Sequence, residues 1–433
     1  TGYIDQMGAS GINLARIWMA PWFGGIEWHK TVPGYHGIGQ YNLRNAQQLD
    51  WIFERAAAHG IVVDLALQNH GPFASTYDRQ WNESPYNSVH GGPLEDRRQV
   101  MTDPEAMRLF HQRFRYIAAR WGADPTIFGW TTWIEVDAVG AKRVPTRAWH
   151  KEMHAVLRTY DTGQHPISTM YAGNFGDSGM WRMPEIDFTQ IAAYAETNGA
   201  IDRFHEVTEY LRKFDKPAII EEYGGSAIAG NVQEMSQHIH DGLWAGLMQR
   251  TAGAPYPWWW NLVFAKNLDR FHATAARFVA GTEMRGKEWH YGAVSLRKLD
   301  GIRDLRALYR HTDETAWAWI YEDAQTSLRS PEKLNRMDWR GILKAQTRQY
   351  KRFVGDRYHP ATATEPDRFD LIADTSFTLT GLKPGRYNVE FWETWGSDEV
   401  STTQLDVTDS GELVIALPPL QRDLALRISR MAP

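Results

Sequence analysis

The chain has 433 residues, 43% hydrophobic and 23% charged, with a formal net charge of -5 and no cysteine. It is longer than the roughly 250–300 residues at which single cores stop growing, so one large domain with a smaller companion is expected, and its apolar content excludes a disordered chain. Lack of cysteine excludes disulfides, thiolate nucleophiles and thiolate metal sites; lack of a basic run argues against nucleic acid as partner, and no stretch of about 18 apolar residues is present to span a membrane.

In chain order, Tyr3, Ile4 and Met7 lie at helical spacing and Gly8 with Gly11 mark the end of that helix. Residues 12–18 (INLARIW) read as a strand, 46–60 as a helix closed by a glycine, and 61–67 (IVVDLAL) as a second strand. Asp103-Pro104 opens a helix running to Gly122, and 126–133 (TIFGWTTW) is the next strand. The alternation continues with a helix at 146–160, strands at 165–171 and 188–194, a helix at 201–214, a strand at 216–222, a helix at 232–248, a strand at 255–260 (PYPWWW) and a helix at 268–280. Beyond about residue 283 the pattern changes. Residues 306–322 read as two strands around a turn, 330–354 as a helical, Arg-rich connection, and 376–396 with 401–430 as short strands turning at Lys383-Pro384-Gly385 and Asp409-Ser410-Gly411.

Strands alternating with helices imply parallel pairing through helical crossovers. Seven such strands are one short of a (β/α)8 TIM barrel, and the missing first strand would precede the helix at Tyr3, so the natural protein is expected to extend upstream of Thr1. The glycine-rich phosphate turn of an open doubly wound sheet is absent. The expected organisation is a barrel over 1–283 and an antiparallel β-sandwich over 284–433. Two strand-to-helix connections, 19–45 and 68–102, are far longer than the usual 2–6 residues and rich in aromatic residues, which on a barrel means a walled cleft.

Two carboxylates stand at strand ends, Glu135 after GWTTWI and Glu222 closing KPAIIEE. Paired carboxylates facing one gap suit hydrolysis of a glycosidic bond, while from position alone helix capping is an equally good reading. The order GWTTWIEVD, KPAIIEEYGG, PYPWWWN resembles the cellulase-like clan A glycoside hydrolases. YNLRNAQQLDWIFERAAAHGIVV, WNESPYN, HGGP, GLKPGRYNVEFWETW and LPPLQRDLALRI narrow the resemblance to a bacterial subgroup with accessory β-domains.

The resemblance implies Glu135 as acid/base and Glu222 as nucleophile, with Glu221 a bystander, and a retaining enzyme acting on a β-linked poly- or oligosaccharide without cofactor or metal. It further implies that Arg16 hydrogen-bonds the nucleophile and that His70 lines a sugar subsite. Tyr194 would donate to the nucleophile. Trp258 and Trp260, on one face of an eighth strand, would include a sugar platform, and Trp22, Trp81 and Tyr86 would add subsites from the long loops. Of the 20 tryptophans, most are expected in packing and a minority on sugar.

One departure matters. The clan carries Asn just before its acid/base, where the amide binds the sugar 2-hydroxyl; this chain has Ile134, with Asp137 or Asn69 as candidate replacements. A carbohydrate-binding protein without turnover is therefore the second reading. A metal hydrolase is the third, although HExxH is absent and His150 with His154 lie on a helix away from the strand ends. A Ser-His-Asp hydrolase would need the absent G-x-S-x-G elbow. The sequence does not set the sugar, the oligomeric state or the cellular location.

Overall fold

The computed structural model describes all residues except 1, 75–76, 173–174, 195–198, 225–231, 300–303, 323–370, 397–398 and 432–433. The expected connection at 330–354 lies outside the described residues. Two compact units are distinguished, one of residues 1–192 with 210–221, the other of 193–209 with 222–433.

The first unit opens with helix α1 (Gly2–Ala9), then strand β1 (Leu14–Trp18), α2 (Leu43–Ala58), β2 (Val62–Ala66), α3 (Pro104–Trp121), β3 (Ile127–Thr131), α4 (Arg143–Tyr160), β4 (Ile167–Ser168), β5 (Met170–Tyr171), a one-turn α5 (Ser178–Trp181) and β6 (Thr189–Ala192). Strands β1-β2-β3-β4 form one parallel sheet in that order. A second sheet joins β5 and β6 to β7 (Ala218–Glu222). The helices start where local chemistry predicts. The Asn42 side chain accepts from the Asn45 amide at the head of α2, and Asp103 caps α3 with Pro104 in its first turn, so donors without an intrahelical partner are satisfied. Burial on α3 follows the helical period, through Ala106, Leu109, Phe110, Arg113, Phe114 and Ile117.

The second unit carries α6 (Gly199–Leu211), α7 (Val232–Met248), α8 (Trp260–Ala265) and α9 (Arg270–Val279), then eight strands, β8 (His290–Lys298), β9 (Asp304–His311), β10 (Thr315–Glu322), β11 (Ser376–Thr380), β12 (Gly385–Trp392), β13 (Val400–Val407), β14 (Glu412–Ala416) and β15 (Asp423–Arg430). Six form the sheet β13-β12-β15-β10-β9-β8, whose printed pairings are all antiparallel, and β11 pairs antiparallel with β14. Alternation along β11 and β14 buries Phe377, Leu379, Leu413 and Ile415 in one core with Leu305, Ala307, Leu426 and Ile428 of the larger sheet.

Two readings of the sequence are corrected. Residues 255–260 are not a strand. Pro255 and Pro257 have no amide hydrogen to give a ladder, pairing is confined to one parallel bridge between Tyr223 and Pro257, and Trp260 starts α8. Strand β8 was not anticipated; its residues are mostly exposed, so it lacks a buried-face alternation to read.

Trp130, Trp133, Trp149, Trp181, Trp244, Trp317 and Trp319 are fully buried, whereas Trp22, Trp51 and Trp260 are exposed. Among the described residues no helix is long and apolar enough to cross a membrane.

Candidate active site

In the first unit, residues at the carboxyl ends of β1, β2 and β3 converge. Glu135 lies beyond β3, where Ile134 still donates its amide to the Gln68 carbonyl. Its backbone is left-handed, with φ 51° and ψ 50°, a conformation that a glutamate adopts only when its surroundings impose it. The Glu135 amide donates to Met170 Sδ at 3.3 Å, and a short 3-10 turn ending at Gly140 follows. This turn aims the carboxyl at His70, whose Nδ1 lies 3.1 Å from Glu135 Oε2. His70 Nε2 lies 3.2 Å from Asp78 Oδ2.

Around the imidazole stand Tyr77, with ring centroids 5.0 Å apart, and Trp18, edge-on at 6.3 Å; Trp22 lies 6.2 Å from Trp18. The Tyr77 hydroxyl hydrogen-bonds Glu135. Burial, then the nearby Glu135 and Asp137 carboxylates, push the phenol well above its usual range, so Tyr77 acts as a donor. The residues before His70 are tied to α3 and the first long loop. Arg113 of α3 donates to Gln68 Oε1 at 2.6 Å, Gln68 donates to the Asn69 carbonyl at 2.6 Å, and Arg113 lies 3.8 Å from the buried Glu27 of the first long loop. Glu27 also accepts from the Gly39 amide, which ties that loop to the same helix. Burial raises the Glu27 carboxyl, and Arg113 opposes the shift.

Below this cluster, Arg16 of β1 pairs with Glu221 of β7 at 2.5 Å, both side chains almost fully buried. Glu221, read from sequence as the bystander beside Glu222, thus belongs to a buried ion pair. Two successive carboxylates on a strand buried along its whole length are the signal for such a partner, because a buried charge must be paired. Asp64 of β2 lies nearby in the chain's polar interior, accepting from Thr131 and Gln190; burial raises it to about 6 against the charge of Arg16.

In the second unit, Glu222 is 3% exposed and accepts a hydrogen bond from Tyr194 Oη at 3.0 Å. The strand end is fixed by its neighbours. The Ala193 amide donates to the Glu222 carbonyl, the Tyr223 amide to Tyr256, the Trp258 amide to Tyr223, and the Tyr223 hydroxyl to the Ile239 carbonyl of α7. Gly242 on α7 makes room for the Tyr223 ring, since a Cβ there would meet Cε2 at 2.2 Å. Trp258 is half-buried and Trp260 exposed at a helix start, so the two do not share a strand face.

The remaining sequence candidates fall as follows. Asp137 is exposed and accepts from the Ala172 amide at 3.0 Å. Trp81 is half-buried, 6.3 Å from Phe73, and Tyr86 is buried against the same ring. Ile134 is fully buried and Asn69 nearly so. Tyr77, Asp78 and Trp18 were missed; no spacing links the first two to His70, and only the folded loop brings them there.

His150 spends both ring nitrogens on Thr146 and Thr169, and His154 uses Nδ1 on the Glu185 carbonyl. Among the described residues, His240, Asp241 and Asp423 come close enough to hold a metal. There Nδ1 of His240 meets Asp241 at 3.0 Å and Nε2 faces Asp423 at 3.6 Å, so opposite edges of the ring face the two carboxylates. A shared proton satisfies this geometry, while one ion cannot take both ring nitrogens.

No protein-family model and no curated protein matches the sequence. The chain is similar to a solved glycoside hydrolase with a TM-score of 0.60 at 12% identity, over 99% of this chain and 88% of that one. It is also similar to a glucosidase from Croceicoccus marinus, with a TM-score of 0.50 at 9% identity, over 99% and 92% of the two chains. At these identities the likeness is one of fold, which the chain shares with solved glycoside hydrolases.

Proposed function

We propose that the protein is a retaining glycoside hydrolase of β-linked poly- or oligosaccharides, its catalytic part of (β/α) barrel type over 1–283, followed by the sandwich at 284–433. The observation that supports the reading is that each strand-end glutamate has a polar side chain against it, His70 Nδ1 at 3.1 Å from Glu135 and the Tyr194 hydroxyl donating to Glu222. In the first step a Glu222 carboxylate oxygen bonds to the anomeric carbon, the glycosidic C–O bond breaks, and the Glu135 proton goes to the leaving oxygen. In the second, Glu135 takes a proton from water as the water oxygen displaces Glu222. Exposed Trp22 and Trp260 supply flat faces for sugar rings.

A panel of β-mannans, β-glucans, galactans, deoxy-sugar glycans and aryl β-glycosides, with proton NMR of the first-formed anomer, tests this. The reading expects a β product; an α product means inversion, and activity abolished by a chelator means a metal hydrolase. A crystal structure should place the two carboxyl groups about 5–5.5 Å apart. The buried Ile134, where the clan has Asn, favours a second reading of sugar binding without turnover. Binding unchanged in Glu222→Gln, with no wild-type product across the panel, would establish it.

A further inference from the structure

His70 is buried between two carboxyl groups that differ in every respect except their backbone. Glu135 is mostly buried and Asp78 exposed, yet both hold the left-handed conformation, with φ 51° and 44°, although neither is glycine. Left-handed non-glycine residues are uncommon, and two of them contacting one imidazole point to a constrained arrangement. We propose that Asp78 and His70 are a positioning pair that fixes the imidazole tautomer and thereby holds the proton on Glu135. The proposal rests on the reading of Glu135 as acid/base.

The tautomer follows from the contacts. The hydrogen bond from His70 holds the Asp78 carboxyl below its usual range, so Asp78 is an ionised acceptor and Nε2 carries the hydrogen. In the neutral ring Nδ1 then presents a lone pair to Glu135 Oε2 at 3.1 Å. A bare nitrogen this close repels a carboxylate but not a protonated carboxyl, so the pair favours the acid form. Tyr77 completes the arrangement by donating to the glutamate. Among the described residues of the first unit, His70 and Tyr77 face this carboxyl, with Asp78 behind the imidazole and Asp137 beyond Tyr77. The same lone pair strengthens Glu135 as a base after it has given its proton away. Asp78, being exposed, also connects the pair to solvent.

Asp78→Asn in the full chain is the test, because asparagine tolerates the left-handed backbone. Nitrogen NMR of histidine-labelled protein, with His70→Asn to assign the signal, should show Nε2 protonated and Nδ1 bare in the wild type. Nδ1 carrying the hydrogen at neutral pH overturns the proposal, whatever the protein hydrolyses. On phenyl β-glycosides Asp78→Asn should lower kcat/KM about tenfold at pH 7 and move the alkaline limb down by about one pH unit, the size of one pK unit of differential interaction. On 2,4-dinitrophenyl β-glycosides, whose leaving group needs no proton, it should change little. An unaltered limb and an equal effect on both leaving groups refute the pair's role. If Glu135→Ala itself shows no dependence on leaving group, the acid/base reading fails instead.

Discussion

Glu135 and Glu222 reach their positions by opposite means. Glu222 sits in regular strand geometry, buried, with a phenol donating to it and its backbone tied on both sides. Glu135 leaves its strand through a left-handed turn and lies 3.1 Å from Nδ1 of an imidazole. A donor suits a group that works as an anion, while an imidazole nitrogen without a hydrogen suits one that must hold a proton.

Substitutions can break this contrast. Glu222→Ala should lower turnover by on the order of 10⁴- to 10⁶-fold with little change in melting temperature, as for loss of a nucleophile. Glu135→Ala should cost about 10²- to 10⁴-fold on substrates with poor leaving groups, much less on dinitrophenyl glycosides, and recover with added azide. Glu221→Gln, one residue from the proposed nucleophile, should instead lower stability by about 3–5 kcal/mol in urea titrations by breaking a buried ion pair with Arg16. If Glu221→Gln removes activity without loss of stability, the two neighbours have been assigned the wrong way round. Tyr194→Phe removes one hydrogen bond to a charged group, about 1.5–3 kcal/mol, and should slow turnover roughly 10- to 100-fold with little effect on KM.

The smallest effect concerns carboxyls with no proposed part in the reaction. Burial raises Asp241 to about 7 and Asp423 to about 6, and lowers His240 to about 4. A carboxyl raised on folding contributes stability that is full below pH about 4 and lost as pH rises through its folded value. The depressed histidine contributes above pH about 6.5 and loses that as pH falls towards 4. Asp241→Asn, a neutral mimic of the protonated acid, should flatten the decline in Tm between pH 5 and pH 8. An unchanged slope would mean that Asp241 is ionised throughout.

Much of the strand and helix order was legible because apolar periods and caps are local, as at Asn42 and Asp103. The two glutamates, and the Tyr194 donor to Glu222, were found from strand ends and family pattern. What sequence did not show was set by contacts between distant segments. Asp78 reaches His70 only through the folded second loop, and Arg16 meets Glu221 across two strands far apart in the chain. The failed strand at 255–260 shows aromatic content outweighing two prolines in the reading, though not in the fold.

The most direct test is to trap the intermediate. The full chain would be treated with a 2,4-dinitrophenyl 2-deoxy-2-fluoro-β-glycoside of a sugar that it hydrolyses, then digested and analysed by mass spectrometry. The account predicts one fluoroglycosyl group, located on Glu222. A label on Glu221 or elsewhere, or no label while the parent glycoside is hydrolysed with inversion, would contradict it.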